Sequence, residues 1–286
     1  MKKSVVTLLF ALLTLLPVFG SEAIAPREIS VKSTAAFLEA VAPHTTIYIH
    51  MNEIDPIIFS GFEAGDVNQY CRFEYAYDGV QLVIHDVEGL SIIGPEEIRA
   101  RILTPYSYAN VIYFDKCKDL SLQWLNCGHD IEGYCTGGVL AFNECQDVEI
   151  KNCDLWGCGI EGLSIYNSSG FDVSYTIIRD CSYSIMSIFE SSDLSFSYCL
   201  MHDNREFDLL IFNNSKGVSF ENCVIWNNNA AGGLYANNLI NCVGSAISFT
   251  QCAIFNNSVQ NLSNEGAGID FQNCIVFGNQ YRGWDY

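Results

Sequence analysis

From about residue 139 onward the chain repeats itself every 22 to 24 residues, and a repeat of that length restricts the fold more than any single motif. Each copy has the same order: an apolar-x-apolar pair, two polar or cysteine residues, a second apolar pair, two small polar residues, then another apolar pair. Residues 148–158 (VEIKNCDLWGC) are one copy, and 171–181, 194–204, 218–228, 247–257 and 269–279 are the next. The matching positions Cys153, Thr176, Cys199, Cys223, Cys252 and Cys274 are separated by 23, 23, 24, 29 and 22 residues. A weaker copy runs through Leu120, Leu122 and Leu125. Period-two alternation inside each run indicates strands and excludes helical repeats, and the polar pairs between runs are turn residues. Leucine-rich repeats share the length, but their spaced leucines are absent. Three short strands and three turns per repeat make one coil of a single-stranded, right-handed parallel β-helix, an all-β fold. Roughly seven or eight coils, each adding one strand spacing, make a column about 35 to 40 Å long. Like residues then stack on like residues.

The remainder of the chain sets the boundaries. Residues 1–23 read as a secretory signal peptide: Lys2 and Lys3, an apolar run over 5–19, then small residues at Gly20, Ser21 and Ala23. Met-Lys-Lys before a short Leu-rich core has a bacterial look, so the expected destination is the periplasm, the cell surface or the medium. No other apolar run approaches the roughly 18 residues of a membrane span, so none is expected after signal cleavage. Residues 24–80 are expected to form an N-terminal cap and entry segment, and 81–286 the β-helix. With 14 Lys+Arg against 33 Asp+Glu, the formal charge is −19. This argues against nucleic acid and an anionic lipid surface as partners, because both would be repelled.

Residues 31–41 (VKSTAAFLEAV), with Ser33 or Thr34 as N-cap and Pro43 as stop, read as a helix, and Thr46 to Ile49 as the following strand. Residues 78–84 (DGVQLVI) and 90–94 (LSIIG) read as the entry into the first coils. With the coil repeat, these segments resemble the pectate-lyase-like right-handed β-helix superfamily over most of the mature chain. The resemblance implies a capping helix and, where long turns flank one face, a substrate groove. It implies little about activity, since the superfamily spans lyases, hydrolases, epimerases and adhesins.

Stacking turns each position of the repeat into a column. Cys153/Thr176/Cys199/Cys223/Cys252/Cys274 falls at a turn, and Cys158/Cys181/Asn204/Asn228/Asn257/Asn279 is an asparagine ladder with cysteine in its first two coils. Small, weakly polar thiols pack in such stacks, so a buried thiol ladder is expected, and the odd count of 13 cysteines then follows the number of coils. No CxxC or His-x-x-His pair supports metal binding. Cys127 and Cys135 flank a loop holding His129, where a disulfide and two unrelated thiols are equally open readings.

Outward positions carry the functional information. On the first strand they are polar, as in Glu149/Lys151 and Asp172/Ser174. On the second strand, the outward columns are Asp154/Ile177/Leu200/Val224/Ala253/Ile275 and Trp156/Arg179/His202/Trp226/Phe255/Phe277, an apolar and aromatic stripe several coils long. Soluble proteins rarely leave such a patch bare. Three readings stand: cover by residues 51–80, which are rich in Phe and Tyr; an aromatic platform for sugar rings, with His129 beside it; or a docking face for a protein or another copy.

The titratable residues nearest this stripe are the catalytic candidates Arg179, His202, Asp180 and Asp203. A uronate lyase needs a base, for which Arg179 is the candidate, and a cation such as Ca²⁺, which Asp180 or Asp203 would help hold. A glycoside hydrolase needs two carboxylates flanking the bond, and Asp180 and Asp203 stack one coil apart. The Gly-His-Gly and Arg-Ile-Lys elements of the polygalacturonases are absent. The expected function is binding of carbohydrate or a surface component without catalysis or cofactor; a uronate-lyase-like enzyme and a structural or adhesive surface protein are the alternatives.

Overall fold

The computed structural model describes residues 27–50, 56–131, 133, 136–157, 159–230, 237–264 and 266–281. Three long sheets run along one column, and Ser258–Val259 pairs with Gln280–Tyr281 in a fourth, two-stranded sheet. The first begins at Arg27–Val31 and Thr45–Ile49 and ends at Gly268–Gln272. The second runs from Ile57–Ile58 to Ile275–Phe277, and the third from Gly65–Asp66 to Asn261–Ser263. Pairing is parallel throughout the coils, for example Val148↔Phe171↔Leu194↔Val218. The exceptions are two antiparallel pairings at the N-terminal end, Gly65–Asp66 with Cys71–Ala76 and Cys71–Ala76 with Gly79–His85. Alternation sends one set of side chains inward, and Leu155, Ile178, Met201, Ile225 and Ile254 are each fully buried in the second-sheet column. The signal peptide expected over 1–23 lies outside the described residues.

The stack exceeds seven or eight coils because the entry segment joins it. Sheets of ten, nine and ten strands include Thr45–Ile49, Ile57–Ile58 and Gly79–His85. Helix Thr34–Ala40 starts where expected, with Ser33 as N-cap accepting a hydrogen bond from the Ala36 amide. It buries Phe37 and Leu38 over the end of the core. The phenylalanines of 56–80 pack there: Phe37 lies 6.3 Å from Phe59, Phe59 6.1 Å from Phe73, and Phe62 stacks on Phe73 at 4.5 Å, whereas Tyr75 and Tyr77 are exposed. Cover of the second-sheet stripe by residues 51–80 is therefore corrected for 56–80: this segment plugs the end of the column, and residues 51–55 lie outside the described residues.

Each corner of the coil carries its own ladder, because a backbone that turns inside a packed stack must still satisfy its carbonyls and amides. At the first corner the residue before the ladder takes a left-handed conformation (Asn152 φ 55°, Asn222 φ 52°, Asn273 φ 54°), which asparagine tolerates well. Each thiol sulfur then lies within hydrogen-bond reach of two carbonyls, which share its single hydrogen. Cys153 Sγ reaches Leu122 O at 3.5 Å and Lys151 O at 3.4 Å, and Cys199, Cys223, Cys252 and Cys274 repeat the pattern. Burial pushes the Cys153 thiol up to about 12, so it stays protonated and able to donate.

The second corner is the asparagine ladder. Asn228 Nδ2 donates to Met201 O at 3.1 Å, Trp226 O at 3.0 Å and Asn257 Oδ1 at 2.9 Å, while its Oδ1 accepts from the Asn204 amide and side chain. Cys181 occupies the same column, its amide donating to Asn204 Oδ1 at 3.0 Å; Cys158 is not among the described residues. A third ladder, Cys117/Cys145/Ser168/Ser191/Ser215/Ser245, closes the corner between the third and first sheets. Ser168 Oγ donates to Tyr166 O at 2.6 Å and Ser191 Oγ to Phe189 O at 2.7 Å. The described cysteines are free thiols. Cys127 is an inward residue of strand Leu125–His129, opposite Ile102 and Leu155, so it packs in the core and does not flank a loop; Cys135 lies outside the described residues.

His129, expected at the ligand face, is also interior, 1% exposed. Its Nε2 donates to Ala109 O at 2.9 Å and its Nδ1 has no partner. Burial depresses its pKa from 6.5 by disfavouring the cation.

Two outcomes follow. Asn228→Ala removes a donor that serves three acceptors and lowers stability by about 2–3 kcal/mol, read from the urea midpoint; Asn228→Cys costs less, because the thiol repeats what Cys181 does in that column. For His129, the folded-state pKa lies below the unfolded value of 6.5. Its contribution is present above pH 6.5 and is lost as the pH falls through the folded value. Thermal melts compared between the wild type and His129→Gln should show a steeper acid-side loss in the wild type; parallel curves would contradict this placement.

Candidate functional site

The second sheet presents the stripe in the expected register. Trp156, Arg179, His202, Trp226, Phe255 and Phe277 follow one another through successive strands, and Asp154, Ile177, Leu200, Val224, Ala253 and Ile275 form the parallel column. These side chains are half-buried, except for buried Asp154 and the exposed pair Ile275 and Phe277. His202 stacks on Trp226 with centroids 4.2 Å apart, Trp226 and Phe255 lie at 6.5 Å, and Phe255 and Phe277 at 5.0 Å.

Toward the N-terminal end the stripe becomes a polar network. A Cβ on Gly128 would come within 2.5 Å of the Trp156 ring, so the glycine lets the indole lie against the preceding coil. There Trp156 Nε1 donates to Asn126 Oδ1 at 2.6 Å, and Asn126 Nδ2 donates to Asp154 Oδ2 at 3.1 Å. Arg179 grips Asp154 with two bonds, Nε to Oδ1 at 3.0 Å and Nη2 to Oδ2 at 2.9 Å, and gives Nη1 to Asp180 Oδ2 at 2.6 Å. Its guanidinium sits 5.7 Å from the Trp156 ring centroid. Desolvation pulls the Arg179 pKa down, but the Asp154 and Asp180 carboxylates outweigh it and raise the pKa. A guanidinium held this way stays a cation, which is unsuited to removing a proton.

The other expected residues form a second group. His202 Nδ1 lies 2.6 Å from Asp203 Oδ2, and Asn227 Nδ2 donates to Asp203 Oδ1. Facing a carboxylate oxygen, Nδ1 is the donor of this contact. Asp180 and Asp203 thus have carboxylate oxygens engaged by Arg179, His202 and Asn227. No group of three His, Cys, Asp or Glu side chains converges among the described residues. The arrangement does not fit a calcium site.

Two carboxylates were not singled out from the sequence. Asp154 breaks an otherwise apolar column and stacks on Asn126, which in turn stacks on Arg101, a signal that was present in the pattern. Glu161 gave no signal: it is 8% exposed, takes a hydrogen bond from Ser187 Oγ at 2.6 Å, and burial raises its pKa. A groove of about 620 Å³ adjoins the polar end, lined by Glu96, Glu97, Ile98, Arg99, Trp124 and Asn126 together with Arg101.

Among the described residues no helix is long and apolar enough to cross a membrane. No curated protein matches the chain in sequence. Among solved structures, pectate lyase Pel9A superposes with a TM-score of 0.53 at 13% identity, covering 91% of this chain and 80% of its own. An alginate lyase from Paenibacillus sp. gives 0.47 at 11% identity, covering 90% and 98%. Identities this low speak to fold alone. The sequence pattern described as "Right handed beta helix region" matches residues 137–286. The chain therefore belongs to the right-handed parallel β-helix family.

Proposed function

We propose that the chain is an exported β-helix protein that binds carbohydrate along its second-sheet face, without catalysis. The observation that carries this reading is the column Trp156/Arg179/His202/Trp226/Phe255/Phe277, which places one flat or aromatic group per coil on a face that residues 56–80 leave open. Flat apolar rings receive the C–H faces of sugars, and the fixed Asn126, Asp154, Arg179 and Asp203 groups beside them offer hydrogen bonds to hydroxyls. The Arg179 charge is committed to two carboxylates. Neutral glycans therefore suit the centre of the face better than acidic ones. Export rests on residues 1–23.

One observation favours a second reading, an acid–base enzyme: the 2.6 Å His202–Asp203 contact, which orients the imidazole as catalytic dyads do. It ranks second because Arg179 makes a poor base and the Asp180 and Asp203 carboxylates are already engaged, by Arg179 and by His202 and Asn227.

On a glycan array, Trp156→Ala and Trp226→Ala should each weaken binding of a retained neutral oligosaccharide by about tenfold or more, with far-ultraviolet dichroism unchanged. Equal binding by both variants would remove the face from consideration. Incubation with uronate polymers and Ca²⁺, followed by ultraviolet absorbance of unsaturated ends, should give no product. Product that disappears in His202→Ala or Arg179→Ala would replace binding with lyase activity.

A further inference from the structure

The groove at the N-terminal end of the second-sheet face has a chemistry that the face itself lacks. Arg99 and Arg101, at the start of strand Ala100–Thr104, both line it. Arg99 is fixed by its Nε, which donates to Asn152 O at 2.6 Å two coils further on, and its Nη groups are left for another acceptor. Arg101 is half-buried and has no hydrogen-bond or ion-pair partner among the described residues. Half-buried Arg72 and Arg179, by contrast, are each paired with a carboxylate. Glu96 and Glu97 line the same groove, yet both are exposed and neither closes on Arg101. A guanidinium partly stripped of water and left without a counter-charge gains from any oxyanion that reaches it.

The opposite wall is an aromatic ring. Trp124 is half-buried and takes the corner position that three other coils give to Asn152, Asn222 and Asn273. Its φ of 55° is one that asparagine adopts more readily than a bulky side chain. The corner is held by the Ala100 amide, which donates to Trp124 O at 2.9 Å. Asn126 completes the floor, but its side-chain amide is already taken by Trp156 and Asp154.

We infer that this groove binds one sugar ring bearing a single anionic group, a carboxylate or a sulfate, as the end residue of a glycan whose other residues are neutral. About 620 Å³ is far more room than a bare oxyanion fills and is ordinary for a small organic ligand. The indole offers the ring an apolar surface, and the planar guanidiniums match an oxyanion with paired donors. A second charge has no partner. The next coils along the face carry Asp154 and Asp180 against Arg179 alone, a net negative group, and the whole chain has a formal charge of −19. Only the neutral remainder of the glycan rests on the reading of the second-sheet face; the acidic ring does not need it.

Glucuronate titrated into protein isotope-labelled at tryptophan should shift the Trp124 indole resonance, assigned through Trp124→Phe, and saturate. Glucose, which lacks the charge, and inorganic sulfate, which lacks the ring, should each bind at least about tenfold more weakly. Arg101→Gln should remove the preference for glucuronate over glucose, and the double variant Glu96→Gln/Glu97→Gln should tighten glucuronate binding, both with far-ultraviolet dichroism retained. Trigalacturonate should gain nothing over galacturonate. Equal affinity for glucose and glucuronate, or a preference that survives Arg101→Gln, overturns the inference. Sulfate as tight as glucuronate assigns the groove to a free oxyanion and overturns it as well, and trigalacturonate bound more tightly than galacturonate overturns the limit to one charge. If glucuronate behaves as expected while Trp156→Ala and Trp226→Ala leave array binding unchanged, the groove stands and the face does not.

Discussion

Everything in this molecule depends on parallel, in-register stacking of coils whose corners carry side chains able to satisfy the backbone from inside. Parallel strands alone would leave carbonyls and amides unpaired wherever the chain turns. Three ladders solve that problem with three chemistries: thiols at the first corner, asparagine amides at the second, and mostly serine hydroxyls at the third. Each makes a bond within its own coil and one to a neighbouring coil, so a coil is both turned and aligned by the same side chain. The outward columns inherit that alignment, which is why Arg179 and His202 share a line at all.

Much of this architecture could be read from the sequence, because a ladder forces the same residue type to recur at the same interval. The cysteine and asparagine columns were legible for that reason, and the second-sheet register followed from them. The third ladder was not: cysteine gives way to serine after Cys145, and serine is too common between strands to stand out. His129 was misplaced because a histidine beside an aspartate reads as a surface group, whereas its Nε2 is taken by Ala109 O inside the turn. The phenylalanines of 56–80 were misassigned for a different reason. Composition shows that they need cover, but not that the end of the column needs the same.

The stripe's character depends on one buried carboxylate. Asp154 collects Arg179 and Asn126, and through Asn126 it holds the Trp156 indole. A single charge placed in an apolar column thus fixes an aromatic ring, a cation and an amide in one rigid group. His202, one coil further on, is fixed separately by Asp203 and Trp226. The two groups are neighbours by stacking and independent by hydrogen bonding.

The face also has a direction. Its N-terminal half is built from Arg101, Asn126, Asp154 and Trp156, and its C-terminal half from Ile177, Leu200, Trp226, Phe255 and Phe277. A polysaccharide is itself directional, with chemically different ends and ring faces that invert when the chain is reversed. If the face binds carbohydrate as proposed, a strip that is amide and charge at one extremity and bare hydrocarbon at the other would accept the two orientations of such a chain with different energies, and would select between them before any individual sugar is read.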